Sequence, residues 1–373
     1  MPKIQSLDEL TMGVEEEFQI VDPGSRELRP RARRILDEAE SAVGDAVTNE
    51  LYLSQIEIGT PVCRTLAEVR DQVTRLRKAV IDAAAAHGSR IAAAGTHPFS
   101  RFDHQPLTPK PRYRGIAEDF QQLAREQVIF GCHVHVGIDD REEAIAAMNR
   151  ARPWLPAILA LSANSPFWLG DDTGFASYRT ALFGRFPTTG IPHPFATRAE
   201  YDGVVAALVE VRLIEDASKL YWDMRPSSHF ETLEFRIADV CATIDEAVMV
   251  AGLCRGLVRA SLEAHRRGDP IAEVRPEVLV AAKFRASRFG LEGDLIDPIA
   301  RRAIPAAEEI GRLLDFLRPS LEANGDREEI ERLVRRVIEG GTGAARQREA
   351  FARGDRLEDV VDRIVEETAR GTD

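Results

Sequence analysis

Glutamate, histidine and arginine recur at two-residue spacing in four short segments of this 373-residue chain, and the spacing decides what chemistry they can share. Side chains of a β-strand alternate between faces, so residues two apart point the same way. In MGVEEEFQIV (12–21), Glu15, Glu17 and Gln19 share one face, while Val14, Phe18 and Ile20 take the other. Glu16 falls on the apolar face, and alternation gives no reason for it. In QIEIGT (55–60), Gln55, Glu57 and Gly59 oppose Ile56 and Ile58. In VIFGCHVHVGI (128–138), Gly131, His133, His135 and Gly137 oppose Cys132, Val134 and Val136. In TLEFRIAD (232–239), Thr232, Glu234 and Arg236 oppose Leu233, Phe235 and Ile237.

A single Glu-x-Glu strand is most often the wet face of an antiparallel sheet, and a lone His-x-His is more often structural than ligating. Here four strands each carry carboxylate, imidazole or guanidinium opposite an apolar face, with no Lys among them. Facing carboxylates repel unless a cation sits between them. The set therefore points toward a metal-binding sheet. Several carboxylates with one or two imidazoles suit a hard cation, Mg²⁺ or Mn²⁺, better than zinc. A hard-metal cluster beside Arg suits a nucleoside triphosphate, with Arg236 on a substrate carboxylate or a phosphate. Phosphoryl transfer needs positioning and charge neutralisation more than a covalent nucleophile. The absence of a convincing Ser/His/Asp or Cys/His pattern agrees with that.

The elements that must position these residues come next. The turn signal Asp22-Pro23-Gly24 ends the first strand, and Pro61 ends the second. Leu66, Val69, Val73, Leu76 and Val80 then recur at helical spacing. RIAAAG (90–95) reads as a short buried strand, and KLYWDMR (219–225) as a further one. The Gly/Pro-rich stretch from Ser165 to Pro194 reads as an ordered functional loop. From about Asp245 the chain reads almost entirely as helix. Gly340-Gly341-Thr342-Gly343 reads as a helix C-cap and turn. No GxxxxGK[ST] and no strand-borne GxGxxG occurs, so neither a P-loop nor a Rossmann site is expected.

Composition narrows the field. Hydrophobic residues make up 44% and charged residues 29%, ordinary for a globular protein, and the formal net charge is −12. Nucleic acid is therefore not an expected partner, since phosphate backbones are held by clustered Lys and Arg. Cys63, Cys132, Cys241 and Cys254 form no CxxC pair, which fits a reducing cytoplasm. The opening MPKIQSLDEL lacks a basic start and apolar run, and no stretch is long enough to span a bilayer. A cytoplasmic location with no membrane partner is expected. Apolar faces on the helical third leave a homo-oligomer open.

In order along the chain, GVEEEF (13–18), SQIEIGTP (54–61), GCHVHVGI (131–138), SYRTALFGRFPTTGIP (177–192) and RPSSHFETLEFRIADVC (225–241) resemble the bacterial carboxylate–amine ligases, also called type 2 glutamate–cysteine ligases. AAKFRASRFGLEGDLID (281–297) and GTGAARQR (341–348) are similar to that family too. The resemblance implies one domain over 1–373 with an α+β fold like that of glutamine synthetase and the guanidino kinases. That fold is a curved antiparallel sheet with helices on its outer side, a concave active-site face and a helical C-terminal third. It implies an ATP- and Mg²⁺-dependent ligase that forms an acyl phosphate on glutamate, which cysteine or another amine then attacks.

Carried over residue by residue, the resemblance implies metal ligation by Glu15, Glu17, Glu57, His133 and Glu234, with Glu50 and His135 as companions. It implies substrate or phosphate contacts from Arg236, and from Arg179, Arg185 and Arg225 in family-like segments. A phosphagen-type kinase of the same fold is the nearest alternative. A metal-dependent hydrolase or oxygenase built on the His-x-His strand, and a catalytically dead binding protein, are more distant ones.

Overall fold

The computed structural model describes residues 6–372; residues 1–5 of the N-terminal segment read above for a targeting signal, and Asp373, lie outside the described residues. Eleven strands occur among the described residues: β1 (Met12–Val21), β2 (Val47–Asn49), β3 (Gln55–Gly59), β4 (Arg90–Ala92), β5 (Gly131–Gly137), β6 (Phe167–Trp168), β7 (Asp171–Asp172), β8 (Met224–Pro226), β9 (Thr232–Asp239), β10 (Asp294–Asp297) and β11 (Arg302–Pro305). Seven of them form one curved antiparallel sheet in the order β2-β3-β1-β5-β9-β8. β4 pairs with the far end of β1, along Gln19–Val21.

The register places polar residues side by side. Across β1, Glu17 faces Glu57 of β3 and Glu15 faces His133 of β5. His135 faces Glu234 of β9, and Glu234 faces Arg225 of β8. Between Cys132 and Val134 the β5–β9 register slips, because β9 inserts one extra residue there. Such a bulge bends and twists a strand locally, and it falls beside His133.

Alternation drives the other face into the core. Val14, Val134, Val136, Leu233 and Phe235 are buried against the helix Ile244–Arg266, with Leu66–Ala86 and Arg141–Ala151 beside it. Thr243 and Glu246 form a capping box at the start of Ile244–Arg266, satisfying donors that a helix start leaves unpaired. The helix is buried on almost every side because Ala306–Asn324 and Arg327–Gly340 pack on its outer surface. Among the described residues no helix is long and apolar enough to cross a membrane.

Glu16, out of place in the alternation, is fully buried and paired with Arg77 of the helix Leu66–Ala86, which is buried as deeply. The pair is bidentate, with Arg77 Nε 2.8 Å from Glu16 Oε2 and Nη2 2.6 Å from Oε1. The guanidinium also donates to the carbonyls of Cys241 at 2.8 Å, Ala242 at 3.3 Å and Thr368 at 3.5 Å. A buried charge persists only when paired and hydrogen-bonded in this way.

Other expectations need trimming. The strand read at 219–225 is extended only over Met224–Pro226, because Ala217–Lys219 turns as a 3₁₀ helix capped by Asp216. The last third is helical apart from the β10–β11 hairpin, which contributes Asp297 to an ion pair with Arg312. The stretch 165–194 is ordered, holding β6, β7 and the helix Tyr178–Phe183. Gly341, at φ +78°, ends one helix, and Thr342 caps the next through the N–H of Ala345.

Candidate active site

The polar face of the sheet forms the floor of a cleft of about 340 Å³. Two groups of ligand-type atoms gather on it. Glu15, His133 and Glu234 each bring one atom within 4.8 Å of the others, and so do Glu17, Glu50 and Glu57. Strand register alone delivers five of the six; Glu50 arrives from the short connection between β2 and β3, where its carboxylate accepts from the N–H of Leu51 at 3.0 Å. His135 stands beside the first group rather than within it. Its Nε2 lies 3.4 Å from Glu15, and its Nδ1 is 2.8 Å from Thr232 Oγ1.

Electrostatics separate the two groups. Burial opposes ionisation of Glu15, but hydrogen bonds and charge from His133 and His135 outweigh it and hold this carboxyl well below its ordinary range. Burial likewise opposes ionisation of Glu234, and the charges of Arg236 and Arg225 reverse the balance, so it stays strongly acidic. Burial, and after it the charge of Arg236, pushes the His133 imidazole down toward its neutral, ligating form. In the second group burial dominates, and the charge of Glu50 adds to it. Glu57 is pushed well above the ordinary carboxylate range, and Glu17 is raised as well. Two unit charges 4 Å apart repel by about 4 kcal/mol at an effective dielectric near 20. Three carboxylates this close call for a cation, and an all-oxygen donor set suits Mg²⁺ or Mn²⁺.

The arginines differ in what they have left to offer. Arg225 Nε donates to Glu234 Oε2 at 2.8 Å and its Nη1 to the Ser218 carbonyl at 2.9 Å, while Arg236 Nη1 donates to Glu234 Oε1. Arg179, on the helix Tyr178–Phe183, is buried; its Nη2 donates weakly to the Arg236 carbonyl at 3.4 Å and its Nε has no hydrogen-bond partner. The guanidinium lies over Gly131, where a Cβ would sit 2.4 Å from Nη2 and 3.2 Å from His133 Nε2. The same glycine donates its N–H to Glu17 Oε2 at 2.6 Å. Glycine at 131 thus admits a cation on one side and orients a carboxylate on the other.

Arg185, read as a phosphate contact, is not brought to the cleft: its guanidinium pairs with Glu126 near the surface. Sequence reasoning also missed Arg112, Tyr113, Tyr221, His229 and Phe230, all of which line the cleft. Arg112 and Tyr113 belong to the helix Pro111–Phe120, whose pattern is that of any surface helix. His229 and Phe230 had a signal, since they connect two strands already placed at the site. Phe230 is largely exposed and meets His135 edge-on at 5.7 Å.

A second cavity, of about 710 Å³, opens at the other end of the sheet. Glu15, Glu57, His135 and Phe230 line both cavities, so the carboxylate cluster stands where two binding spaces meet. The arrangement can hold cations between two ligands, one of them beside a buried guanidinium, and bring their reacting ends together.

Residues 11–367 match the family model described as glutamate–cysteine ligase family 2. A relative from Roseiflexus sp. (strain RS-1), provisionally named glutamate–cysteine ligase 2, is 44% identical over 361 residues, covering 97% of this chain and 95% of the relative. One of the same provisional name from Rhodopirellula baltica is 42% identical over 367 residues, covering 96% of each. In fold, the chain is similar to the crystal structure of glutamate–cysteine ligase from Francisella tularensis in complex with AMP. The TM-score is 0.71 at 12% identity, over 97% of this chain and 89% of that one.

Proposed function

The chain belongs to glutamate–cysteine ligase family 2, and from that premise we propose that it is an ATP-dependent ligase joining the side-chain carboxylate of glutamate to an amine such as cysteine. The observation that carries this reading is the pair of ligand groups, Glu15/His133/Glu234 and Glu17/Glu50/Glu57, side by side on one sheet face between two cavities. The whole chain acts as one unit in this reading, in keeping with a family match over 11–367.

Those six residues would hold divalent cations, Mg²⁺ or Mn²⁺, and their donor atoms fit such ions. Bound there, the cations neutralise triphosphate charge and polarise the transferring phosphoryl group. The chain's own residues do the rest. Arg225 and Arg236 keep Glu234 ionised and fix its orientation. Arg179 offers its free donors to an oxyanion of a substrate or of the transferring group. Tyr113, Phe183, Phe186 and Tyr221 wall one side of the cleft and keep water from an activated acyl group. In the first half-reaction a glutamate carboxylate oxygen attacks the γ-phosphorus and ADP leaves. In the second the amine nitrogen attacks the acyl carbon, the C–N bond forms as the C–O bond to phosphate breaks, and the nitrogen's proton passes to the departing phosphate or to solvent.

The test is release of ADP and phosphate from ATP with Mg²⁺ and glutamate, with and without cysteine and a panel of other amines. Release that requires both glutamate and one amine is expected. A stable phosphorylated product that forms without any amine would replace the ligase with a kinase.

A further inference from the structure

Asp239, the last residue of β9, is fully buried and has no place among the residues that face the cleft. Its carboxylate nevertheless gathers three hydrogen-bond donors and one cation. Oδ2 accepts the N–H of Asn164 at 2.8 Å and the hydroxyl of Ser165 at 2.7 Å, and Oδ1 accepts the hydroxyl of Ser177 at 2.8 Å. Arg179 Nη1 stands 3.9 Å from Oδ1. Residues at both ends of the loop 165–177 are therefore tied to one carboxylate. Ser177 also caps the helix that carries Arg179, and Ser165 Oγ accepts the N–H of Arg179 itself at 3.1 Å.

The site is built to hold that carboxylate in place. A Cβ on Gly95 would lie 2.8 Å from Asp239 Cγ, so the backbone there presses directly on the side chain. Asn164 is fixed in turn, donating to the Ala93 and Val240 carbonyls at 2.9 Å each and accepting from Gln347 at 2.8 Å. Gly343 packs so closely on Asn164 that a Cβ would meet its Oδ1 at 2.1 Å. The GTG segment 341–343 thus braces the loop.

Arg179 is what this scaffold aims. It is a buried guanidinium with an unpartnered Nε, and the Asp239 carboxylate beside it stands beyond hydrogen-bond distance. Asp239 offsets the charge without consuming the donors, which leaves them for a ligand. Arg225, by contrast, spends its donors on Glu234 and on the Ser218 carbonyl, while Arg236 gives one to Glu234, the carboxylate it holds, and keeps an unpartnered Nε.

Resting on the ligase reading above, we infer that Asp239 is a positioning residue that holds the loop 165–177 and the Arg179 guanidinium in place to receive an oxyanion, a carboxylate or a phosphoryl group, in the cleft. The oxyanion belongs to either glutamate or the nucleotide, and the measurements separate the two.

The experiment is a double-mutant cycle of Asp239→Asn and Arg179→Gln, read in kcat, in the KM for glutamate and for ATP, and in direct calorimetric binding of glutamate and of Mg·ADP. A misplaced cation is expected to lower kcat/KM roughly 10- to 100-fold, with the loss in KM falling on one substrate. Asp239→Asn should add nothing further in the Arg179→Gln background. Ser177→Ala, which removes one donor and keeps the charge, should move the same KM by a smaller factor and serves if Asp239→Asn does not fold. Additive losses in the cycle, or equal effects on both substrates, would overturn the assignment. Wild-type protein without turnover would refute the ligase reading instead. Binding would still judge Asp239, because a positioning residue weakens one ligand only and only while Arg179 is present.

Discussion

Glu17 and Glu57 face each other directly across β1 and β3, and Glu50 closes the third corner. Like charges directly opposite in a sheet destabilise it, so the pairing is relieved by protons in the metal-free fold or, in the reading proposed above, by a cation. Both carboxyls are raised by burial and by the charge of Glu50. In metal-free protein the folded state therefore holds protons that the unfolded chain would release. Their contribution is complete below the ordinary carboxylate value and is lost as pH rises through the elevated folded values. Mg²⁺ displaces those protons on binding, so its stabilisation should grow with pH, by up to about 1.4 kcal/mol per pH unit for each proton displaced. Melting temperatures in EDTA and in Mg²⁺ from pH 5 to 8 check this, and a Mg²⁺ increment independent of pH would contradict it.

Glu57→Gln should separate stability from function. Removing one of three crowded carboxylates is expected to leave the melting temperature in EDTA unchanged or higher, while turnover falls about 10²–10³-fold, the usual scale for a lost electrostatic contact at a reacting centre. Glu15→Gln and Glu234→Gln should lose turnover alike with the fold intact, and His133→Ala should shift the Mg²⁺ titration to higher concentration. Full activity in Glu15→Gln would remove the cluster from catalysis.

At Gly131 a methyl group has room only if the end of Arg179 moves. Because a flexible side-chain terminus can yield where backbone cannot, Gly131→Ala should fold with a stability change under about 1 kcal/mol. Its kcat/KM should nevertheless fall roughly 10-fold or more, as expected for a displaced guanidinium. Circular dichroism melts beside steady-state kinetics give both numbers, and an active Gly131→Ala enzyme would show that Arg179 need not lie there.

The buried Glu16–Arg77 pair should behave asymmetrically. Removing one partner, as in Arg77→Met or Glu16→Leu, strands a charge and is expected to cost about 3–5 kcal/mol. The double variant should recover much of that loss, because burying neither charge avoids the desolvation penalty. Urea titration of the two single variants and the double variant measures the coupling. Additive losses would mean that the carbonyl contacts of Arg77, rather than the ion pair, carry its role.

The sequence was most legible where period two held. β1 and β9 run over the very residues whose alternation marked them, and the common face of Glu15, Glu17, His133 and Glu234 is the floor of the cleft. Glu16 was illegible because its partner lies 61 residues away on a helix whose own pattern is unremarkable. Glu50 could be suspected but not placed, since it sits in a connection with no periodicity. Arg185 misled for the converse reason: six residues from Arg179 and past the end of the same short helix, it finds Glu126 instead of the cleft. Arg112 and Tyr113 had no signal, because only tertiary packing brings the helix Pro111–Phe120 over the sheet. Asp239 looked like the tail of a strand, and its role depends on two serines and an asparagine gathered from the loop 165–177 and the residue before it.

The contacts of Thr368 bear on how the protein is made. Its hydroxyl accepts the N–H of Ala93 at 2.8 Å, and its carbonyl receives Arg77, the partner of Glu16 on the first strand. A nascent chain can lay β1 against β3 early, but it must hold a charged pair in a half-built core until residue 368, 291 positions after Arg77, has emerged. Burial of the β1 charge thus waits on a residue far along the chain, and the core closes through long-range contacts rather than local ones.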